Sequence, residues 1–137
     1  MYEELNKNEF QVLEETNHPH ITRVFELMED QRHYYVVMEL ISGGNLFDRI
    51  KAMHSFSEAQ TASIIKQLCL ACNYMHNLGI MHRDLKPENL LCEQTEDGNI
   101  IIKLTDFGFA THFSQDRVES LSLGSPLYMA PELCLEQ

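Results

Sequence analysis

Within the stretch MHRDLKPENL, residues 81–90, a carboxylate (Asp84) stands two residues before a cation (Lys86) and five before an amide (Asn89). Transfer of a phosphoryl group asks for such a set. It needs an in-line hydroxyl, metal ions across the phosphates and cations at the developing charge, and little covalent chemistry from protein. Asp84 is suited to accept or orient a hydroxyl proton, and Lys86 to stabilise the group in transfer. Asn89 can hold Mg²⁺ by its amide oxygen, with Pro87 stiffening the loop between them. A second metal ligand is expected where a neighbouring strand ends, and Asp106-Phe107-Gly108 follows the strand-like run IIIKLT.

Competing chemistries are weaker. Cys69-Leu70-Ala71-Cys72 is a C-x-x-C with His76 four residues beyond. However, Ile64, Ile65, Leu68, Cys69, Cys72 and Met75 follow helical spacing and no second C-x-x-C appears, so both thiols are expected in a core. Aligning Gly98 with the glycine of a calcium loop puts Glu93 first and Leu104 last, where Asp and Glu are needed; Glu96-Asp97-Gly98 reads as a hairpin turn. A net charge of −11 with no basic stripe excludes a binder of nucleic-acid backbones. An apolar share of 44% with only 6 Gly and 4 Pro indicates one globular domain. The opening MYEELNKNEF lacks the apolar run of a signal peptide, and no segment approaches the roughly 20 apolar residues of a membrane span. The expectation is an intracellular, cytoplasmic protein.

The elements that must position these groups follow from pattern. Residues 1–16 fit a helix, with Leu5, Phe10, Val12 and Leu13 apolar, ended by His18-Pro19. Strands are expected over Ile21–Met28 and Tyr34–Ile41, and Ser42-Gly43-Gly44 breaks the chain. Asn45 caps a helix to about Met53. Ser57 with Gln60 forms a capping box for a helix to about Leu78, stopped by Gly79. Leu90–Cys92 and Ile100–Thr105 are short strands, and the remainder from Asp106 is mostly irregular.

On these motifs the chain resembles eukaryotic protein kinases over essentially its whole length. His82-Arg83-Asp84-Leu85…Asn89 matches the family's catalytic loop, Asp106-Phe107-Gly108 its metal-binding motif and Ala130-Pro131-Glu132 the end of its activation segment. Lys86 and Gly124-Ser125-Pro126 are similar to serine/threonine kinases. HYYVVMELISGGNLFDRI and DFGFATHF resemble the calcium/calmodulin-dependent group, most of all calcium-dependent protein kinases, whereas LGSPLYMAPE is similar to autophagy-initiating kinases of the Unc-51 type. The resemblance implies an α+β, partial two-lobed kinase fold. The C-helix and last N-lobe strands would occupy 1–38, the hinge 39–44, and the first half of a helical C-lobe 45–137.

It also implies ATP and Mg²⁺ as cofactors and Ser/Thr-bearing proteins as substrates. Asp84, Lys86 and Asn89 would be catalytic, and Asn89 and Asp106 would hold metal. Glu9 would be the C-helix glutamate that pairs with a strand lysine. Met38 would be the gatekeeper, and Glu39 and Ile41 would offer hinge backbone groups to adenine. Leu91 would floor the pocket. Asn45 stands where many relatives carry an acidic residue that binds ribose and a substrate arginine, and Glu88 remains available nearby. Leu13, Val24, His82 and Phe107 align with the apolar stack that joins the lobes. Arg83 suggests control by activation-segment phosphorylation, with Ser114, Ser120 and Ser122 as candidates. Leu121 occupies the commonest phosphosite register, and Glu119 offers a permanent charge instead. Ser125 is expected to shape the substrate-hydroxyl site.

The sequence departs from the family pattern in holding no G-x-G-x-x-G loop and no strand lysine, and in ending five residues after Glu132. Losing one positioned charge from a phosphoryl-transfer site costs on the order of 10³-fold, about 4 kcal/mol. These 137 residues alone are therefore expected to be nearly inactive and unstable, as an internal piece of a kinase. The alternative is a short, non-catalytic, pseudokinase-like nucleotide-binding or interaction module. No EF-hand loop is present, so calcium regulation would act only through regions outside this sequence.

Overall fold

The computed structural model describes residues 2–53, 55–114 and 123–135. The candidate phosphosites Ser120 and Ser122, with Glu119 and Leu121, lie outside them. Helix α1 spans Tyr2–Glu15 and closes where Thr16 turns its hydroxyl onto the Leu13 carbonyl at 3.2 Å. Its residues Val12 and Leu13 are buried.

Strands β1 (Val24–Glu29) and β2 (Tyr34–Met38) form an antiparallel hairpin. Asp30 shapes its turn by accepting the N–H groups of Arg32 and His33 at 2.7 and 2.8 Å. The expected start of the first strand at Ile21 is corrected, because residues 20–22 lie along the later strand β5 (Ile100–Leu104) instead. Thr22 N–H donates to Leu104 O and Leu104 N–H to His20 O, both at 2.9 Å. That placement buries Ile21 in the core. Likewise β2 ends at Met38, short of Ile41, as the chain turns into the 39–44 connection.

Asn45 caps α2 (Leu46–Met53), its Oδ1 accepting the Asp48 N–H at 2.8 Å. Helix α3 (Glu58–Asn77) opens with the reciprocal Ser57–Gln60 capping box, and Gly79 follows at φ 71°. Strand β4 (Leu90–Gln94) pairs antiparallel with β5, with Gly98 at φ 83° in the connecting turn. Two features had no sequence signal long enough to read. Strand β3 (Ile80–Met81) pairs with β6 (Thr111–His112), and α4 covers Pro131–Leu135. The architecture is α+β, as a partial kinase fold requires.

One core unites these pieces. Val12, Ile21, Met75, Ile80, Cys92, Ile102, Leu104 and Phe107 are fully buried, each worth roughly 1.5–3 kcal/mol for the larger side chains. Helix α3 packs on β5 and β3 through Ile64, Ala71 and Met75. Gln67 adds polar register: its Nε2 donates to Ile100 O and its Oε1 accepts the Ile102 N–H, both at 2.9 Å. The core expectation for Cys69 is corrected, since Cys69 is exposed and Cys72 half-buried. The helix turns its Ile64–Ala71–Met75 stripe to the sheet, which leaves Ile65, Cys69 and Leu70 on the outer face. Among the described residues no cluster of three or more His, Cys, Asp or Glu could hold a metal. None of their helices is long and apolar enough to cross a membrane.

Candidate active site

The 82–89 loop leaves β3 and ends in a single 3-10 turn, Pro87–Asn89. Its geometry is set by His82, buried against Phe107 with ring centroids 4.9 Å apart. His82 Nδ1 accepts the Asp84 N–H at 3.3 Å, and Nε2 faces Thr105 O at 3.1 Å. Burial pushes the His82 pKa down, and only a neutral ring with its proton on Nε2 makes both bonds. Arg83 takes a left-handed conformation (φ 66°) and donates from Nε to Phe109 O at 2.6 Å. The loop and the 106–110 segment therefore hold each other.

Asp84 sits at the centre with its side chain 2% exposed. Lys86 Nζ donates to Asp84 Oδ2 at 2.6 Å and lies 2.8 Å from Ser125 Oγ. Ser125 in turn donates to Asp84 Oδ1 at 2.7 Å. Asn89 Nδ2 donates to Asp84 O and Oδ2 at 2.9 and 3.1 Å. Burial raises the Asp84 carboxyl pKa, but the bonds from Lys86 and Ser125, the Lys86 charge and Asn89 together bring it below the ordinary carboxylate value. Lys86 is correspondingly raised, first by its bond to Asp84. The pair is ionised at neutral pH: an anionic acceptor beside a fixed cation.

Thr105 N–H donates to Asn89 O at 3.0 Å, which ties the end of β5 to the Asn89 turn and sets Asp106 beside the loop. Asp106 is exposed, with φ 63° and Oδ1 3.4 Å from the Gly108 N–H. Asn89 spends its amide nitrogen on Asp84, leaving its oxygen as the end that can face a cation. One carboxylate and one amide oxygen form the hard-oxygen donor set that suits Mg²⁺, which keeps waters and phosphate oxygens for its other positions. Glu9 on α1 closes this side. Its Oε2 lies 3.9 Å from the point a Cβ on Gly108 would occupy. Burial, then the charge of Asp106, raise its pKa. Two like charges so placed would both gain from an ammonium between them.

The other expected groups lie around the 39–44 connection. Met38 is 41% exposed at the end of β2, Ile41 is half-buried, and Leu91 is half-buried on β4 opposite Lys103. Asn45 is bridged to Leu91, but its amide is committed to α2, with Nδ2 also donating to Asp48 at 3.0 Å. Glu88 accepts the Tyr128 hydroxyl at 3.4 Å and keeps Oε2 buried with no partner among the described residues. Leu13 and Phe107 are buried, and Val24 packs on the core. Ser114 is exposed. Sequence reasoning missed Lys103, whose ammonium meets both Glu39 carboxylate oxygens at 2.8 and 2.9 Å. The signal available was a single charge inside the apolar run IIIKL.

The family described as "Protein kinase domain" matches residues 2–137. The chain is 42% identical over 132 residues to "Myosin light chain kinase A" of Dictyostelium discoideum, covering 96% of this chain and 44% of that protein. It is 39% identical over 128 residues to "Probable serine/threonine-protein kinase fhkD" of the same organism, covering 93% and 17%. Against "Calcium-dependent protein kinase 4" of Plasmodium berghei it is 40% identical over 125 residues, covering 91% and 24%. The chain thus spans less than half the length of each of these relatives.

Proposed function

The chain belongs to the protein kinase family, among the serine/threonine kinases, and we propose that it carries the catalytic half of a phosphoryl transfer from Mg-ATP to serine or threonine hydroxyls of proteins. The observation that carries this reading is the convergence of Lys86, Ser125 and Asn89 on the buried Asp84 carboxylate. An ionised Asp84 receives and aligns the substrate hydroxyl, and its depressed pKa favours orientation over full proton abstraction. Lys86, already fixed beside it, meets charge as it develops on the transferring group. Asn89 and Asp106 would hold Mg²⁺, which when bound would neutralise the charge of the phosphates.

The adenine would lie between the backbone of Glu39 and Ile41 and the side chain of Leu91, with Met38 at the rear. Glu9 would pair with a lysine that these 137 residues do not hold. The engaged amide of Asn45 favours Glu88 over Asn45 as the group that meets a basic substrate. Assignment to the calcium-dependent kinases rests on the 33–50 and 106–113 stretches. It is supported by the 40% identity to a protein of that name, and calcium would act through regions outside this sequence. A non-catalytic module is not favoured, since catalysis gives a direct reason for Lys86, Ser125 and Asn89 to meet at one carboxylate.

The test is transfer from γ-labelled ATP to serine- and threonine-bearing peptides by the whole polypeptide as its source expresses it. Labelled phosphoserine or phosphothreonine, reduced about 10²–10³-fold by Lys86→Met, is the expected result. Equal activity in Lys86→Met would remove the proposed role.

A further inference from the structure

The ion pair between strand β5 and the 39–44 connection has no part in the chemistry above, yet both carboxylate oxygens of Glu39 meet the Lys103 ammonium. Lys103 Nζ lies 2.8 Å from Glu39 Oε1 and 2.9 Å from Oε2, and the two side chains are only 15% and 22% exposed. Glu39 Oε1 also accepts the Arg23 N–H at 2.7 Å, and the Glu39 N–H donates to Arg23 O at 2.9 Å. Burial works against the Glu39 charge, but the Lys103 bond, the Arg23 bond and both cations leave its pKa lowered. The carboxylate is therefore a junction of β1, β5 and the connection.

Lys103 has a second set of ties. It stands opposite Leu91 in the β4–β5 register and three residues before Asp106. One side chain thus joins the β4–β5 hairpin, which carries the proposed adenine floor Leu91 and leads into Asp106, to the segment that offers adenine its backbone groups. An adenine slot is a gap of fixed width, and its hydrogen bonds fail if one wall drifts by a fraction of an ångström. No other charge pair described for these residues, neither His33–Asp30, Lys86–Asp84 nor His112–Glu15, spans these two walls.

We propose that Lys103 is a positioning residue for nucleotide binding: it holds the backbone of residues 39–41 against the β4–β5 hairpin through the Glu39 carboxylate, without touching the nucleotide. This deepens the kinase reading and rests on it for what the slot binds. Length argues for lysine here, since the ammonium must cross from β5 to the connection. Arginine can make the same two-oxygen contact.

The test uses the whole polypeptide and two readouts, amide hydrogen exchange and the dissociation constant of mant-ATP with Mg²⁺. In Lys103→Met, exchange at 39–44 is expected to accelerate about tenfold while α3 and the β4–β5 hairpin keep parental protection. Affinity for mant-ATP is expected to weaken by about the same factor, as coupling through one element requires. Lys103→Arg should restore both. Parental exchange and affinity in Lys103→Met would overturn the proposal. So would loss of protection throughout the hairpin, or failure of Lys103→Arg to restore, since either reduces Lys103 to a packing residue. If the parent binds no mant-ATP the nucleotide reading itself fails, and exchange at 39–44 still decides whether Lys103 holds that segment.

Discussion

At the residue scale the site is a balance of charges that the free chain leaves incomplete. Glu9 has a raised pKa because it is partly buried and faces Asp106. A raised carboxyl contributes stability only below its ordinary value of 4.5, and that stability is lost as pH rises through the folded value. At neutral pH the Glu9 charge is therefore a cost, and Glu9→Gln should stabilise this chain slightly, by less than about 1 kcal/mol after solvent screening, and so raise its melting temperature. A lowered melting temperature in that variant would show that a cationic partner is already in place. His82 works in the opposite sense. Its lowered pKa makes its neutral bonds fully available above its ordinary 6.5, and they weaken as pH falls below it. An NMR titration should find His82 still neutral at its ordinary pKa. The meeting of Asp84, Lys86 and Asn89 was the most legible contact in the sequence, because the three lie within six residues of one another. Lys103 was hidden because its partner lies 64 residues away.

At the element scale two glycines hold segments in contact that side chains would separate. A Cβ on Gly43 would lie 2.1 Å from the Cys92 carbonyl oxygen, where the neighbouring Gly44 O accepts the Cys92 N–H at 2.8 Å. Gly43→Ala should detach the 39–44 connection from β4 and cost about 1–3 kcal/mol, read from denaturant midpoints. Gly124 has φ 127°, and a Cβ there would come within 2.5 Å of Arg83 O. Gly124→Ala should displace Ser125 from Asp84, so it should reduce phosphoryl transfer more than nucleotide affinity. Removing the Ser57 cap by Ser57→Ala should cost about 1 kcal/mol of stability and leave the site geometry unchanged. Helices α1, α2 and α3 were read nearly to their ends because caps and periodicity are local. Strands β3 and β6 were missed since two-residue strands carry no periodicity, and Ile21 was misassigned since its partner Leu104 is remote.

At the scale of the whole molecule the chain exposes apolar surface that its described residues do not cover. A groove of about 410 Å³, lined by Leu46, Ile50, Phe56, Ile65, Leu68 and Tyr128 among others, runs between α2, α3 and the 85–90 loop. Ile65 and Leu70 on the outer face of α3 are also exposed. The 137-residue chain should bind an apolar dye strongly, and a chain that binds none would contradict this account of its surface. The net charge of −11 offsets self-association only where that groove is not involved. The central claim is that Asp84 serves the hydroxyl and not the nucleotide. Its most direct test is transfer by the whole polypeptide carrying Asp84→Asn, measured beside its affinity for Mg²⁺-mant-ATP. Transfer reduced about 10²–10⁴-fold with nucleotide affinity within about twofold of the parent is the predicted result. Parental transfer rates, or a loss confined to nucleotide affinity, would contradict it.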